Sequence, residues 1–555
     1  MQKRNLFIFL FLFIFSLGAV FRLFNLVYFH ALDTDEAIYA QIVFAITKGF
    51  VLYKDIGFVH PPVYPSLEYA FILISPSLFT LRLFNVILGM AILYLIFRIC
   101  KMLYSMKIAL LASAIYAFYP LAIRSNKLAL IDNGLTFFVV LTMGLFATYL
   151  KERNVKYLFL AGLFAGISFM TKYTALLFIF ALFLFIALRV SKKKFTHLFL
   201  FTATTAVFPL AILVFLFVIG LWPYFFTQTI NWHLIRFGMP LPEKFWFFSQ
   251  IIISLLPLLL LAIPTVLSNC RDWRAELIMT WFFVPFGMLA FSKIVFLHYS
   301  FSLLPPISLL AAISIDRYIL SIFRHRTLNS KFFWKITAAL LTTILVVTLI
   351  GRFVNVFYGA QWFFVEGVFG TWNQMAYTQA QMEVSDYIKN ITNPNDTIWS
   401  SDASFGFLSQ RLMVAPESQY WKFQGFFQDV WGYGWTLDDY RGPIPGYPNG
   451  LFTLENVLDA WKKEEPTVIL VLRTSWVDYL IWNGINNTYH KEEGLLDYIR
   501  SNYNLSSKFY NQTIEVWIRN TLMKQYLIEE PSFTSLATYT PCQKNIVPMR
   551  ALLTQ

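Results

Sequence analysis

The stretch Ala31-Leu-Asp-Thr-Asp-Glu-Ala-Ile-Tyr-Ala40 follows directly on about twenty-five mostly apolar residues that begin at Asn5. An apolar run of this length can cross a bilayer. The stretch that follows it contains Asp33, Asp35 and Glu36, so the sequence predicts a carboxylate cluster at a membrane surface. Two interpretations are open: a catalytic site, or the polar N-cap of a short interfacial helix, because Asp and Thr favour caps and Glu favours a first turn.

The composition indicates a membrane protein. Of the 555 residues, 57% are apolar and only 14% are charged, whereas about a quarter of residues are charged in ordinary soluble domains. Apolar stretches recur through residues 1–350, and polar residues are scattered through the rest. We therefore predict a transmembrane region over 1–350 with a first outer catalytic loop over 30–80, an extracytoplasmic α/β domain over 351–521, and an unassigned tail over 522–555.

The net charge of +13 is explained by the predicted membrane topology. Lys and Arg lie mostly in short alternate loops, where the positive-inside rule places them on the cytoplasmic side, so no nucleic-acid partner is expected. Lys3 and Arg4 place the N-terminus in the cytoplasm. About eleven transmembrane helices, an odd number, place the C-terminal domain outside. The predicted spans are 5–29, 80–100, 108–123, 133–150, 157–171, 173–190, 197–221, 249–268, 277–292, 299–319 and 332–350.

The last 200 residues alternate between predicted helices and strands, which is typical of a small α/β domain. Helices are predicted over 384–391, 454–464 and 493–502, strands over 397–400, 467–472 and 508–518, and a long loop over 424–450. Five N-x-S/T sequons occur in this region and are candidate glycosylation sites. They are Asn390, Asn395, Asn486, Asn504 and Asn511.

Ionisable residues near membrane depth are costly and indicate function. On the predicted outer side they gather at helix ends, and they include both carboxylates and cations: Asp33, Asp35, Glu36, His60, Glu68, Arg82, Arg124, Lys127, Asp132, Lys172, His233, Arg236 and Lys293. Such a site suits a substrate with a lipid tail and an anionic head.

The order of these motifs resembles that of the GT-C glycosyltransferases, in the branch of protein O-mannosyltransferases and aminoarabinose transferases. The matching residues are Asp35-Glu36 with Tyr39, Gly49 to Tyr53 and Asp55, His60-Pro-Pro62 with Tyr64, Arg82, Asp132, and Thr171-Lys-Tyr173. The resemblance implies an integral protein of an archaeal or bacterial plasma membrane. It further implies inverting transfer of a sugar, with mannose as one candidate, from dolichyl or undecaprenyl phosphate to a protein, glycan or lipid acceptor on the extracytoplasmic face.

On this resemblance Asp35 is the general base, and a partly desolvated carboxylate has a raised basicity that suits the role. Glu36 is a second catalytic candidate or a helix cap. The remaining candidates would bind donor phosphate or substrate: His60, Tyr39, Tyr64, Arg82, Asp132, Lys172, His233 and Arg236. Structural alternatives stay open for several of them: Arg82 and Lys172 as snorkelling cations, His233 as an interfacial residue, and Asp132 as an N-cap. Ile38 stands where the aminoarabinose branch often has Arg, which argues against a lipid A acceptor.

No cofactor is required on this interpretation, because a lipid monophosphate needs no metal to neutralise a diphosphate. Mg²⁺ or Mn²⁺ would prefer the oxygens of Asp33 and Asp35 if a cation bound. Two other functions are weighed. An oligosaccharyltransferase would carry a Trp-Asp core that Trp431-Gly-Tyr-Gly434 lacks. A transporter or flippase of lipid-linked sugars would show repeats and midplane sites, whereas the candidates here gather on one side.

Overall fold

The computed structural model describes residues 2–190, 193–235, 239, 241–268, 272–319, 372–400, 402–414, 417–418, 421–422, 454–472 and 493–521. Up to residue 319 the chain is helical, with a 3₁₀ segment over Leu297–Leu303 and π-helical turns over Phe226–Asn231 and Ile315–Ile319. The α-helices of this part are α1 (Gln2–Leu23), α2 (Thr34–Thr47), α3 (Val63–Ile72), α4 (Leu78–Leu103), α5 (Met106–Phe118), α6 (Pro120–Lys127), α7 (Ile131–Glu152), α8 (Val155–Phe169), α9 (Ala175–Arg189), α10 (Lys194–Val218), α11 (Trp222–Phe225), α12 (Trp232–Ile235), α13 (Leu241–Ser268), α14 (Trp273–Phe291) and α15 (Leu304–Ser314).

The predicted polytopic membrane protein is confirmed. In the described part of the chain seven helices are long and apolar enough to span a membrane, or eight if α5 and α6, bent by 62°, form one span. The apolar helices α8 and α9 are shorter, with 15 residues each. Every predicted span from 5–29 to 299–319 coincides with a helix, and the eleventh, over 332–350, lies outside the described residues.

A chain of buried polar side chains crosses the helix bundle. Arg22 of α1 donates to Asn126 (Nε to Oδ1, 3.0 Å), and Asn126 donates to Asn133 (Nδ2 to Oδ1, 3.2 Å). Asn133 and Tyr64 both donate to Asn85 Oδ1, at 3.1 and 3.0 Å. Because polar groups at membrane depth require partners, these bonds fix five helices, α1, α6, α7, α4 and α3, relative to one another.

Two glycines allow α8 to lie directly against α10. A Cβ built on Gly162 would overlap Thr204, and one built on Gly166 would overlap the backbone carbonyl of Thr205. Small residues four apart are a common means of close helix contact in membranes, where no hydrophobic effect drives helices together. The Gly162–Gly166 pair therefore sets the spacing of these two helices.

Beyond residue 371 the described chain forms an α/β region with a five-stranded sheet in the order β2-β1-β5-β7-β6. Strands β2 and β5 run parallel to β1, and β7 pairs antiparallel with β5 and β6. The elements are α16 (Trp372–Ile391), β1 (Thr397–Trp399), α17 (Ser404–Ser409), β2 (Leu412–Met413), β3 (Glu417–Ser418), β4 (Trp421–Lys422), α18 (Leu454–Glu464), β5 (Val468–Leu472), α19 (Glu493–Asn502), β6 (Tyr503–Phe509) and β7 (Ile514–Arg519).

Most predicted elements of this region are present, and one is wrong. The predicted single strand over 508–518 is a hairpin, because Tyr510, Asn511 and Gln512 adopt positive φ and reverse the chain between β6 and β7. The predicted helix over 384–391 begins earlier, at Trp372. The predicted loop over 424–450 and the tail over 522–555 lie outside the described residues.

The candidate glycosylation sites lie on the surface wherever the structure describes them. The exposed asparagines are Asn390, Asn395, Asn504 and Asn511. Asn486 lies outside the described residues. Surface exposure satisfies the steric requirement for a bulky glycan at these positions.

We predict that Gly166→Ala destabilises the protein by about 1–3 kcal/mol, because the new methyl group meets a backbone carbonyl that cannot rotate away. The matched control is Gly287→Ala in α14, where an added Cβ meets no atom within 4 Å. This control should stabilise by a fraction of 1 kcal/mol through helix propensity. Thermal unfolding in detergent compares the two, and equal midpoints would contradict the close α8–α10 contact.

Candidate active site

Helix α2 begins with a capping box built from two of the three clustered carboxylates. The Asp33 side chain accepts the N–H of Asp35 (3.3 Å), and Glu36 Oε2 accepts the N–H of Asp33 (3.3 Å). Burial raises the pKa of Asp33, and the neighbouring Glu36 raises that pKa further. The structure thus shows the predicted capping role for Asp33 and Glu36. The half-buried Asp35 carboxylate is not part of this box.

Glu36 forms a fully buried ion pair with Arg82 of α4. The two hydrogen bonds, Nε to Oε1 and Nη2 to Oε2, measure 2.8 and 2.7 Å. Glu36 Oε1 also accepts the N–H of Ala129 at 2.9 Å. Bidentate guanidinium–carboxylate contacts of this kind are strong and directional. These partners favour the capping alternative for Glu36 and fix α2 to the bundle.

Arg82 uses its remaining donors on the connection between α1 and α2. It donates to the carbonyls of Leu26, Val27 and His30 at 3.0, 2.7 and 3.0 Å. Of the two alternatives for Arg82, snorkelling is wrong, since its side chain has no exposed area. A guanidinium supplies five donors in a fixed plane, so this residue orders the whole turn that leads to the carboxylates.

His30 and Arg124 place a second cation beside Asp33. His30 Nδ1 donates to the carbonyl of Ala31 (2.6 Å), and His30 Nε2 accepts from Arg124 Nη2 (2.9 Å). Burial, and after it the charge of Arg124, lowers the pKa of His30 well below its usual range. His30 is therefore a neutral imidazole that orients the guanidinium of Arg124.

Asp132 and Lys172 form the second buried ion pair of the helix bundle. Lys172 Nζ donates to both oxygens of Asp132 at 2.9 and 2.8 Å, and His298 Nε2 lies 4.0 Å from the same carboxylate. The ammonium also lies 4.7 Å from the ring centre of Tyr299 and interacts electrostatically with Asp35. Lys172, in the break between α8 and α9, is therefore bonded to Asp132 and lies within electrostatic range of Asp35.

An array of aromatic rings extends from α2 to the loop after α10. The ring centres of Tyr39 and His60 are 6.2 Å apart, those of His60 and His233 are 6.1 Å apart, and those of His233 and Tyr173 are 5.6 Å apart. His233 Nε2 donates to the carbonyl of Val59 at 2.9 Å. The two histidines predicted from the sequence are thus adjacent in the structure.

Buried Gln228 holds the loop that carries His60. Its side chain accepts the N–H of Phe58 (3.0 Å) and donates to the carbonyl of Tyr53 (2.5 Å). The Tyr53 hydroxyl in turn donates to the carbonyl of His60 (2.8 Å). Sequence reasoning missed Gln228, because an amide that bonds to backbone 170 and 175 residues away leaves no local pattern.

A cavity of about 580 Å³ opens beside these rings. Its polar lining includes His60, Lys172, His233 and Lys293, and most of the other lining residues are apolar, among them Phe169. Cavities with an apolar wall and a few convergent polar groups are typical ligand sites. The cationic groups beside an apolar wall suit an anion that carries a hydrocarbon chain.

The structure brings together some of the predicted site residues and separates others. His60, Lys172 and His233 line the cavity. Asp132 is bonded to Lys172, the Tyr39 ring lies near His60, and Asp35 interacts electrostatically with Lys172. Tyr64 lies behind Tyr39 and bonds to Asn85, and Arg82 is committed to Glu36. Arg236 lies outside the described residues. His298 was missed, although it precedes an apolar stretch on the predicted outer side, as the other candidates do.

The metal hypothesis stays a prediction. Within the described ranges no group of three or more His, Cys, Asp and Glu side chains could hold a metal ion. Asp33 accepts a backbone N–H in the capping box, which leaves Asp35 as the other carboxylate of the Asp-x-Asp pair.

The sequence model described as dolichyl-phosphate-mannose-protein mannosyltransferase matches residues 59–232. ArnT from Cupriavidus metallidurans, bound to undecaprenyl phosphate, superposes with a TM-score of 0.60 at 13% identity, over 91% of this chain and 97% of that one. The chain therefore shares the fold of ArnT.

The chain also superposes on the oligosaccharyltransferase of Archaeoglobus fulgidus, with a TM-score of 0.52 at 11% identity over 85% of this chain and 70% of that one. No curated protein matches by sequence. The predicted resemblance to the O-mannosyltransferase and aminoarabinose transferase branch is confirmed. The predicted enzyme class, a membrane glycosyltransferase, agrees with the description of the matching sequence model.

We predict that Glu36→Gln lowers the free energy of unfolding by about 3–5 kcal/mol, since it leaves the buried Arg82 without a counter-charge. The matched control is Asp386→Asn, which removes a carboxylate from an exposed pair with Lys389 at 3.4 Å. That change should cost less than about 1 kcal/mol. Chemical unfolding in detergent gives both values, and a small loss for Glu36→Gln would refute the structural role of the pair.

Proposed function

We propose that this GT-C protein transfers a sugar from a polyprenyl phosphate to an acceptor hydroxyl, with Asp35 as general base. The carrying observation is the position of Asp35 within electrostatic reach of Lys172, which lines an apolar cavity with His60 and His233. The lipid chain would lie along the apolar wall and the phosphate against the cations. The sugar would then lie between the phosphate and Asp35.

The reaction balances with these groups alone. The acceptor oxygen forms a bond to C1 of the sugar, its proton passes to Asp35, and the C1–O bond breaks with its electron pair going to the lipid phosphate. Attack from the side opposite the leaving group inverts the anomeric centre. A phosphate that departs as an anion needs positive charge near it more than it needs an acid.

Lys172 is the main cation in this proposal. Its ion pair with Asp132 and its contact with the Tyr299 ring hold the ammonium at the cavity wall. His60 can supply a further N–H donor to the phosphate oxygens, whereas the Nε2–H of His233 is used by the carbonyl of Val59. Fixed charges in a partly desolvated site stabilise a transition state without reorganisation. We therefore propose that transfer proceeds without a divalent cation.

The proposal also specifies the sugar, the acceptor and the orientation of the protein in the membrane. Mannose is the first candidate, and the family match over residues 59–232 supports it. The acceptor is a protein, glycan or lipid hydroxyl on the extracytoplasmic face of an archaeal or bacterial plasma membrane. Alternate basic loops and the basic N-terminus support a cytoplasmic N-terminus and an outer α/β domain.

We predict that Asp35→Asn lowers kcat for sugar transfer about 10²- to 10⁴-fold, the usual contribution of a positioned base, and leaves donor binding unchanged. The assay uses purified protein in detergent, radiolabelled polyprenyl-phosphate mannose and polyprenyl-phosphate glucose, and a mixed extract of acceptors. Activity should survive a chelator.

The control for this assay is Asp386→Asn, the same substitution at an exposed carboxylate of α16, which should keep full activity. Folded protein that turns over no lipid monophosphate would overturn the proposal and favour diphosphate donors or transport. Activity lost on chelation would overturn only the metal-independent mechanism.

We predict that Lys172→Gln raises the Kd for undecaprenyl phosphate about 10- to 100-fold, because a hydrogen bond to a charged group contributes about 1.5–3 kcal/mol. Lys389→Gln removes an exposed lysine of the outer region and should leave that Kd unchanged. Titration of the purified protein with the lipid measures both. Equal affinities would exclude Lys172 from the phosphate site.

A further inference from the structure

The outer α/β region contacts the chain directly before Asp35. Gln381 of α16 is fully buried, and its Oε1 accepts the backbone N–H of Leu32 at 3.3 Å. Its Nε2 donates to Asp402 Oδ2 (3.2 Å) and to Ser404 Oγ (2.9 Å). One amide thus joins the turn before α2 to the segment between β1 and α17.

A second contact lies about two turns further along the chain, on α2. Gln41 Nε2 donates to the carbonyl of Arg411 (3.3 Å), and the rings of Phe44 and Phe407 meet edge to face with centres 6.4 Å apart. Gly406 lies so close that an added Cβ would be 2.7 Å from Gln41 Oε1. Helix α17 therefore packs along α2 and not only at its end.

The other side of α2 is held by the bundle through the Glu36–Arg82 pair. A helix of 14 residues that carries the proposed base in its first turn is thus fixed from both sides. Misplacement of a catalytic group by about 1 Å can cost 10²-fold in rate. The hydrogen bond from Leu32 to Gln381 lies only three residues from Asp35 along the chain.

We propose that Gln381 is a positioning residue and that the outer domain holds Asp35 in its reactive place. This inference rests on the proposed role of Asp35. The domain is then a part of the catalytic machinery. The alternative roles for this domain are to recognise the acceptor and to cover the site.

The test compares Gln381→Leu with Gln379→Leu. Gln379 lies on the exposed face of the same helix, and its side chain donates to Glu383 Oε1 at 2.8 Å. We expect Gln381→Leu to lower kcat about 10- to 100-fold, with the Kd for undecaprenyl phosphate within about threefold of wild type. Gln379→Leu should leave both values unchanged.

The rate of donor hydrolysis, measured without an acceptor, shows whether the outer domain positions Asp35 or only recognises the acceptor. If Gln381 positions Asp35, hydrolysis by water should fall in parallel with transfer, because both need the same base. If the domain only recognises the acceptor, hydrolysis stays at the wild-type rate and only the acceptor KM rises. That result would overturn the proposal.

Exchanging the donor and the acceptor of the Gln381–Asp402 hydrogen bond should restore the activity that is lost in Gln381→Leu. In the double variant Gln381→Glu with Asp402→Asn, the carboxylate at position 381 still accepts the N–H of Leu32. The amide at position 402 now donates to that carboxylate. We therefore expect kcat at least tenfold higher than in Gln381→Leu. Hydrogen exchange of the segment 26–40 should rise in Gln381→Leu and return in the double variant. No recovery, together with unchanged exchange in Gln381→Leu, would refute the positioning role.

The outcomes distinguish this inference from the proposed function. Loss of activity in Asp35→Asn with full activity in Gln381→Leu overturns the positioning role alone. Full activity in Asp35→Asn overturns the role of the base, and the positioning role falls with it.

Discussion

The buried ion pair between Glu36 and Arg82 is the contact on which the geometry of the helix bundle around α2 depends. One guanidinium binds the first turn of α2 and three carbonyls of the preceding turn, so it joins α1, α2 and α4 in a single hydrogen-bonded unit. Such a pair gains little net stability over apolar residues but is costly to break. Its effect is to specify one arrangement of the chain around the carboxylates.

The two buried ion pairs differ in their exposure to the cavity and therefore in the role that each can have. Glu36 and Arg82 neutralise each other completely and have no exposed area, whereas Lys172 faces the cavity while bound to Asp132. Asp132 thereby keeps a cation at the cavity wall when no anionic ligand is bound. The first pair is a structural support, and the second is suited to exchange one anionic partner for another.

The features that could be predicted from the sequence are those that depend on a local residue pattern. Apolar stretches predicted the helices, and Asp33 with Glu36 three residues later predicted a cap. The contact of Glu36 with Arg82, 46 residues away, and that of Leu32 with Gln381, 349 residues away, leave no periodic signal. The hairpin between β6 and β7 was missed because Tyr510-Asn-Gln-Thr513 contains neither Gly nor Pro.

The size of the cavity has a consequence for how a carrier lipid is met. A volume of about 580 Å³ accommodates a ligand of drug size, and a complete polyprenyl chain is far larger. The protein would enclose only the head and the first isoprene units, while the remaining tail stays among the membrane lipids. The protein and the carrier lipid would then meet by lateral diffusion in the membrane plane. The rate of turnover would depend on the surface density of the carrier in the leaflet.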